Sequence, residues 1–152
     1  MADLEARVMV LERQLQLAQG GACPQQLSPR LPQGDAGLVY VGMAAETLHH
    51  GHINILIAAS NLGGRVVVGL LTDDAISAYR RKPTLSWEQR KQVVQALRYV
   101  DIIVPQHTLD YSSNLSLLRP AFVVHGDDWS RPDSAQYSAR QTVVAKLAEW
   151  GG

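Results

Sequence analysis

The stretch Leu38-Val39-Tyr40-Val41-Gly42-Met43-Ala44-Ala45-Glu46-Thr47-Leu48-His49-His50-Gly51-His52-Ile53 decides the fold of this chain. Its opening apolar run, rich in residues that favour extended backbone, predicts a strand at 38–41. Small residues follow, and then a second apolar run (Ile53, Ile55, Leu56, Ile57) predicts a helix from 51 to 62. Small residues such as Gly42 and Ala44 let backbone approach a ligand closely, and a helix start offers unpaired N–H donors and a positive dipole end to phosphate. His49 and His52 are three apart, so they share one face of that helix start, with Gly51 between them. Two imidazoles there suit a phosphate undergoing reaction. Helix capping or metal binding is the competing reading; zinc helix motifs space their histidines four apart around an acid, and no third ligand is near. His50 is expected to point elsewhere.

Outward from this stretch, strands are expected at 65–71, 102–104 and 121–125, and helices at 87–97, 113–118 and 134–150. Ser86 with Gln89 forms a capping-box pattern for the 87–97 helix. Strand–helix alternation of this kind predicts an α/β fold, a Rossmann-like, doubly wound parallel sheet covered on both faces. Ligands of such sheets bind beyond the carboxyl ends of the strands. Three of those ends carry suggestive residues: Gly42 onward, Thr72-Asp73-Asp74, and His125-Gly126-Asp127-Asp128-Trp129.

Two segments precede the domain expected at 38–152. Within residues 1–18, Met1, Leu4, Val8, Leu11, Leu15 and Ala18 follow heptad spacing, which describes a short amphipathic or coiled-coil helix. It either lies on its own domain or zips two chains together, with Arg7 and Glu12 placed to bridge them. Residues 19–37 hold four glycines and three prolines without apolar periodicity, the composition of a flexible linker.

The 152 residues carry 14 basic and 14 acidic side chains, so no excess positive charge exists to drive nucleic-acid or membrane binding. A single cysteine, Cys23, excludes an intrachain disulfide. No apolar run approaches the length of a membrane span. A cytoplasmic setting with no nucleic-acid and no membrane partner is the expectation.

Other candidate residues are ambiguous taken singly. Lys82, in Tyr79-Arg80-Arg81-Lys82-Pro83, is either solvated charge or part of a loop that closes over a triphosphate. Asp127 and Asp73 suit a ribose, a base amino group, a metal or a plain Asx turn. Arg90 and Arg98, eight apart on one expected helix and hence near one face, either pair with these acids or face solvent.

Together the segments resemble a known family. His49-His50-Gly51-His52 matches the HxGH signature of the cytidylyltransferase branch of the nucleotidyltransferase superfamily. Gly69-Leu70-Leu71-Thr72-Asp73 resembles its strand-end aspartate segment, and Glu88-Gln89-Arg90 with Arg98-Tyr99-Val100-Asp101 its helix and RYVD element. Val124-His125-Gly126-Asp127-Asp128-Trp129 resembles the GDDW stretch of glycerol-3-phosphate cytidylyltransferases. Within the family, Val41-Gly42-Met43-Ala44-Ala45 and Ala148-Glu149-Trp150-Gly151-Gly152 look most like phosphonate cytidylyltransferases, which act in natural-product and antibiotic biosynthesis; phosphonoformate and hydroxyethylphosphonate are examples of their substrates.

The resemblance implies transfer of CMP from CTP to a small phosphonate with release of pyrophosphate. It gives His49, His52 and Lys82 catalytic roles as donors and neutralising charge. It places Gly42, Met43, Ala44, Gly51, Asp73, Arg90, Arg98, His125, Gly126 and Asp127 around the nucleotide, with Asp127 also a candidate ligand to Mg²⁺. It also implies a homodimer, with the RYVD element at the interface. The rival readings are a glycerol-3-phosphate-type cytidylyltransferase, an ATP-using adenylyltransferase, or a non-catalytic nucleotide-binding or oligomerisation module.

Three departures from the family pattern stand out. Ala45 and Glu46 occupy places that usually hold an aromatic residue and Asp, and His50 stands where proline is common. The pattern also continues into an ISTS-type helix start that receives the triphosphate tail. Here the late hydroxyls Ser134, Ser138 and Thr142 fall within the expected 134–150 helix. A truncated chain, a differently bound tail or a substituting segment are the three readings.

Overall fold

In a computed structural model the described residues are 37–126, Trp129 and 137–152. The expected N-terminal helix, nearly all of the linker, Cys23, Ser134 and the Asp127–Asp128 pair lie outside them. Four parallel strands form one sheet in the order β3-β2-β1-β4: β1 Leu38–Met43, β2 Arg65–Leu71, β3 Ile102–Gln106 and β4 Phe122–Val123. Helices α1 His50–Ser60, α2 Asp73–Ser77, α3 Trp87–Gln95, α4 Ser112–Leu118 and α5 Tyr137–Ala148 make up the helical part. The sequence expectation of a Rossmann-like α/β domain holds.

The central strands are buried on both sides, which is why their sequences read as continuous apolar runs. Alternation along β1 and β2 then sorts the core into two layers. Val39, Val41, Val66, Val68 and Leu70 pack with Leu56 and Ala59 of α1 and Val94 of α3. Tyr40 and Val67 pack on the opposite face with Leu115 of α4 and Val143 and Leu147 of α5. Trp87 fastens α3 to the sheet by donating from Nε1 to the Leu70 carbonyl at 3.1 Å. Ser86 and Gln89 form the expected reciprocal capping box at its start.

Several boundaries differ from the sequence expectation. β1 runs through Met43, because Gly42 and Met43 continue the register opposite Gly69 and Leu70; the turn starts at Ala44. β3 extends to Gln106 and includes Pro105, a residue that lacks a backbone donor and is tolerated on an edge strand. β4 is two residues long, with flanking bonds from Ala121 N to Leu38 O and from Val124 N to Tyr40 O, both 2.9 Å. Helix α2 was not anticipated. Thr72 caps it by accepting from Ala75 N at 3.2 Å, and Asp73 and Asp74 fill its first turn, where carboxylates are favoured by the helix dipole. Helix α3 ends at Gln95, so Arg98 lies beyond it and does not share a helix with Arg90. Among the described residues no helix is long and apolar enough to cross a membrane.

The strand order reverses at β1: β2 and β3 lie on one side and β4 on the other. This is the switch point at which doubly wound sheets open a crevice beyond their strand ends.

Candidate active site

A cleft of about 1210 Å³ opens at that place. Its wall includes Gly42, Met43, Ala44, His49 and His52 from the β1–α1 segment, and His125, Gly126 and Trp129 from the segment after β4. Leu71 at the end of β2 and Gln106 at the end of β3 line it as well, with Arg80, Arg81, Leu109 and Tyr111 from the segments that follow them. Single ligands generally occupy about 300–1,000 Å³, so the space is enough for two small molecules side by side.

The histidine pair is built by the start of α1. His49 is the N-cap residue: its Nδ1 accepts from Gly51 N at 3.1 Å, and its carbonyl accepts from His52 N at 3.0 Å. A Cβ on Gly51 would sit 2.9 Å from His49 Cε1, so glycine leaves room for the capping ring. With Nδ1 engaged as an acceptor, the neutral His49 ring carries its proton on Nε2. His52 lies in the first helical turn, its ring centroid 4.1 Å from that of His49. Its Nδ1 is buried with no partner among the described residues. Burial, reinforced by the neighbouring His49, lowers the His52 pKa and favours the neutral ring. His50 is exposed, as expected.

The opposite wall is aromatic. His125 stacks on Trp129 with centroids 3.9 Å apart and planes 10° from parallel, and Tyr111 packs on Trp129 at 5.4 Å. Gly42 admits the Tyr111 ring, whose hydroxyl occupies the space a Cβ there would take.

Arg90 is the organising residue behind the cleft. It is wholly buried, and its guanidinium donates to the carbonyls of Ala44 (2.6 Å), Leu71 (2.7 Å) and Leu85 (3.2 Å) and to Asp73 Oδ1 (2.6 Å). Four partners on different segments are thereby tied together: the β1–α1 turn, the end of β2, the start of α2 and the loop before α3. Arg90 does not line the cleft, and Asp73 faces the guanidinium. Arg90 is too deeply buried to touch a nucleotide directly, and its bond to Asp73 helps set the backbone on which the cleft is built.

Other expected site residues fall differently. Of the cationic run, Arg80 and Arg81 line the cleft, whereas Lys82 is exposed outside its wall. Arg98 is exposed over the Tyr99 ring at 5.4 Å, away from the cleft. Asp101 of the same element pins β3 to β2, accepting from Val66 N at 2.7 Å and donating from its own N to Val66 O at 3.0 Å. Thr142 spends its hydroxyl on the Ser138 carbonyl one turn earlier in α5. Sequence reasoning did not single out Arg80, Arg81, Gln106, Leu109 or Tyr111. The first two were legible as part of a basic run; the others carry no motif and become visible through the topology.

Among the described residues no cluster of three or more metal-ligating side chains exists. Magnesium bound to a nucleotide needs no such cage: it takes one or two carboxylates with phosphate oxygens and water. Glu46 is the carboxylate on the cleft wall among the described residues, and this donor set fits an ion that arrives with a triphosphate.

The chain is 31% identical over 115 residues to the ethanolamine-phosphate cytidylyltransferase of Arabidopsis thaliana, covering 70% of this chain and 27% of that protein. It is 34% identical over 85 residues to the glycerol-3-phosphate cytidylyltransferase of Bacillus subtilis (strain 168), covering 55% and 66% respectively. The chain thus spans about a quarter of the plant relative's length and just under two thirds of the bacterial one's. A lipopolysaccharide core biosynthesis protein from Thermoplasma volcanium GSS1 shares the fold, with a TM-score of 0.60 at 21% identity over 74% of this chain and 88% of that one. The profile described as cytidylyltransferase-like matches residues 44–147, from the turn that carries the histidine pair to the end of the helix behind the aromatic wall. The chain belongs to the cytidylyltransferase-like family.

Proposed function

We propose that this protein transfers CMP from CTP to a small phosphonate, releasing pyrophosphate. The carrying observation is the pair of imidazoles 4.1 Å apart at the N-terminus of α1, inside a cleft at the sheet's switch point. An oxygen of the acceptor attacks the α-phosphorus of CTP, a new P–O bond forms, and the bond to the bridging oxygen of the leaving pyrophosphate breaks. The attacking oxygen is already ionised near neutral pH, so the step asks for no general base. It asks instead for donors at the equatorial oxygens and for two anions to be held in line.

The chain's residues suit those demands. His49 offers Nε2–H, with its tautomer set by Gly51 N, and the neutral His52 supplies a donor beside it. The first turn of α1 adds the positive end of the helix dipole. Arg80 and Arg81 bring positive charge to the rim, the task expected of Lys82. Mg²⁺, when bound with CTP, neutralises triphosphate charge, with Glu46 and Asp127 as candidate carboxylates.

The phosphonate acceptor rests on the resemblance of residues 41–45 and 148–152 to phosphonate cytidylyltransferases. A glycerol-3-phosphate acceptor is the second reading, favoured by the bacterial relative. Homodimer formation belongs to the same proposal, and light scattering of the intact chain at micromolar concentration tests it. For the chemistry, His52→Ala is expected to keep the fold and lose on the order of a hundredfold or more in pyrophosphate release from CTP. Turnover near the unsubstituted rate would sink the proposal. A coupled pyrophosphate assay over a panel of phosphonates and phosphates separates the two acceptors, and absence of turnover with all of them would favour a non-catalytic module.

A further inference from the structure

The Gln106 side chain is 2% exposed yet forms part of the cleft wall. Its carboxamide is fixed from behind. Oε1 accepts from the Tyr40 hydroxyl at 2.7 Å, and Nε2 donates to the Thr108 carbonyl at 3.0 Å. Tyr40 is held in turn by Asn114, whose Nδ2 donates to the Tyr40 hydroxyl at 2.9 Å and to the Pro105 carbonyl at 3.1 Å. Gly69 makes room for this arrangement, since a Cβ there would collide with the Tyr40 hydroxyl and lie 2.7 Å from Gln106 Oε1. Burial raises the Tyr40 pKa to about 12, so its hydroxyl remains a donor across the working pH range.

This chain of bonds settles which end of the amide faces which way. Oε1 must meet the Tyr40 proton, so the NH₂ group lies on the Thr108 side, and one of its two N–H donors has no partner among the described residues. A buried donor without a partner is unfavourable, and a ligand atom able to accept from it removes that penalty.

The position of Gln106 indicates which ligand this is. It closes β3 opposite Leu71, two strands from β1, hence on the order of 10 Å along the sheet from the strand that leads to the histidines. A nucleotide at the switch point extends between β1 and β4. The β2–β3 half of the cleft, with Gln106 at the end of β3 and Leu109 just after it, is left to the acceptor. Glu46, the wall's carboxylate among the described residues, belongs to the β1–α1 turn and not to this half.

The geometry points to Gln106 as a specificity-determining residue for the acceptor, which donates to an oxygen on the acceptor's tail and selects a hydroxyl-bearing short-chain phosphonate or phosphate over its aminoalkyl counterpart. This rests on the CMP-transfer reading. An ammonium group cannot accept from the Gln106 N–H and finds no carboxylate in this half among the described residues.

The experiment uses matched pairs on the full chain, with CTP and pyrophosphate detection: 2-hydroxyethylphosphonate against 2-aminoethylphosphonate, and glycerol 3-phosphate against ethanolamine phosphate. The hydroxyl member of each productive pair is expected to have a kcat/KM on the order of tenfold to a hundredfold higher. Gln106→Glu, which keeps the shape and the acceptor for Tyr40, is expected to shift that ratio towards the amine while the KM for CTP stays near its original value. Equal or better use of the amine by the unsubstituted protein overturns the inference, and so does an unchanged ratio in a folded Gln106→Glu. Because the unsubstituted ratio is itself decisive, a variant that fails to fold does not shield the idea. Turnover of phosphates but not phosphonates would defeat the phosphonate reading and leave the tail selection standing; no turnover of any acceptor would overturn both.

Discussion

Gly42 lies against the Tyr111 hydroxyl, at a separation that leaves no room for a side chain on the strand. Tyr111 cannot swing aside freely, because it is buried and packed on Tyr40 at 5.7 Å and on Trp129 at 5.4 Å. Gly42→Ala is therefore expected to destabilise the fold by about 1–3 kcal/mol, as overpacking does in rigid cores. Urea denaturation measures this. Combining it with Tyr111→Leu should recover part of the loss, since the two substitutions share one contact. Simple additivity would show that the clash is relieved by some other movement.

The Arg90 hub makes a different kind of prediction. Its flat fork reaches three carbonyls and the Asp73 carboxylate at once, a geometry that the point charge of lysine cannot reproduce. Arg90→Lys and Arg90→Met are both expected to destabilise by about 3 kcal/mol or more, because acceptors remain buried without donors. The partly exposed Asp73 should matter less, so Asp73→Asn is expected to fall well short of either. Thermal unfolding of the three variants ranks them. An Arg90→Lys that unfolds near the original temperature would contradict the hub.

His52 sets a pH dependence with a definite sign. Its folded pKa lies below the ordinary histidine value, chiefly through burial and secondarily through His49. Between the folded pKa and the unfolded pKa near 6.5, the unfolded chain binds more protons, so its stability must fall as pH drops through that window. Above the unfolded value both states are neutral and the contribution is flat. Denaturation midpoints measured from pH 8 down to pH 5 should decline, and His52→Asn should flatten part of that decline. An unchanged slope in the variant would assign the pH dependence elsewhere.

The same residues explain how much of the fold could be read from sequence. Continuous apolar runs at 65–71 and at the start of β1 gave the central strands, because burial on both faces leaves no polar alternation to misread. His49 and His52 were legible because helix-start spacing alone puts them on one face. Lys82 and Arg98 show the limit. A basic run announces charge but not which of its members borders the cleft, and here Arg80 and Arg81 do. Arg98 reads from sequence as sharing a helix with Arg90, but that helix ends at Gln95. Gln106 was invisible for a sharper reason: its orientation comes from Tyr40, 66 positions away, through a bond that exists only once β1 and β3 flank Gly69 on β2.

Two residues other than glycine adopt left-handed backbone, Ala45 at φ +53° and Arg119 at φ +46°, among those described. Arg119 caps the end of α4, with its N–H donating to the Leu115 carbonyl at 2.8 Å, and its side chain is exposed. A left-handed residue at this position is ordinarily glycine, which carries no Cβ penalty there. Arg119→Gly is thus expected to raise stability by about 0.5–1 kcal/mol, read as a higher urea midpoint with unchanged slope. Ala45 has the same backbone state, but its methyl is 5% exposed within the core, so Ala45→Gly relieves strain while giving up packing. Its gain should be smaller than that of Arg119→Gly or absent. A larger gain at Ala45 than at Arg119 would mean that backbone strain beside the histidine pair outweighs the burial of the methyl, and that the turn holds its shape against a substantial conformational penalty.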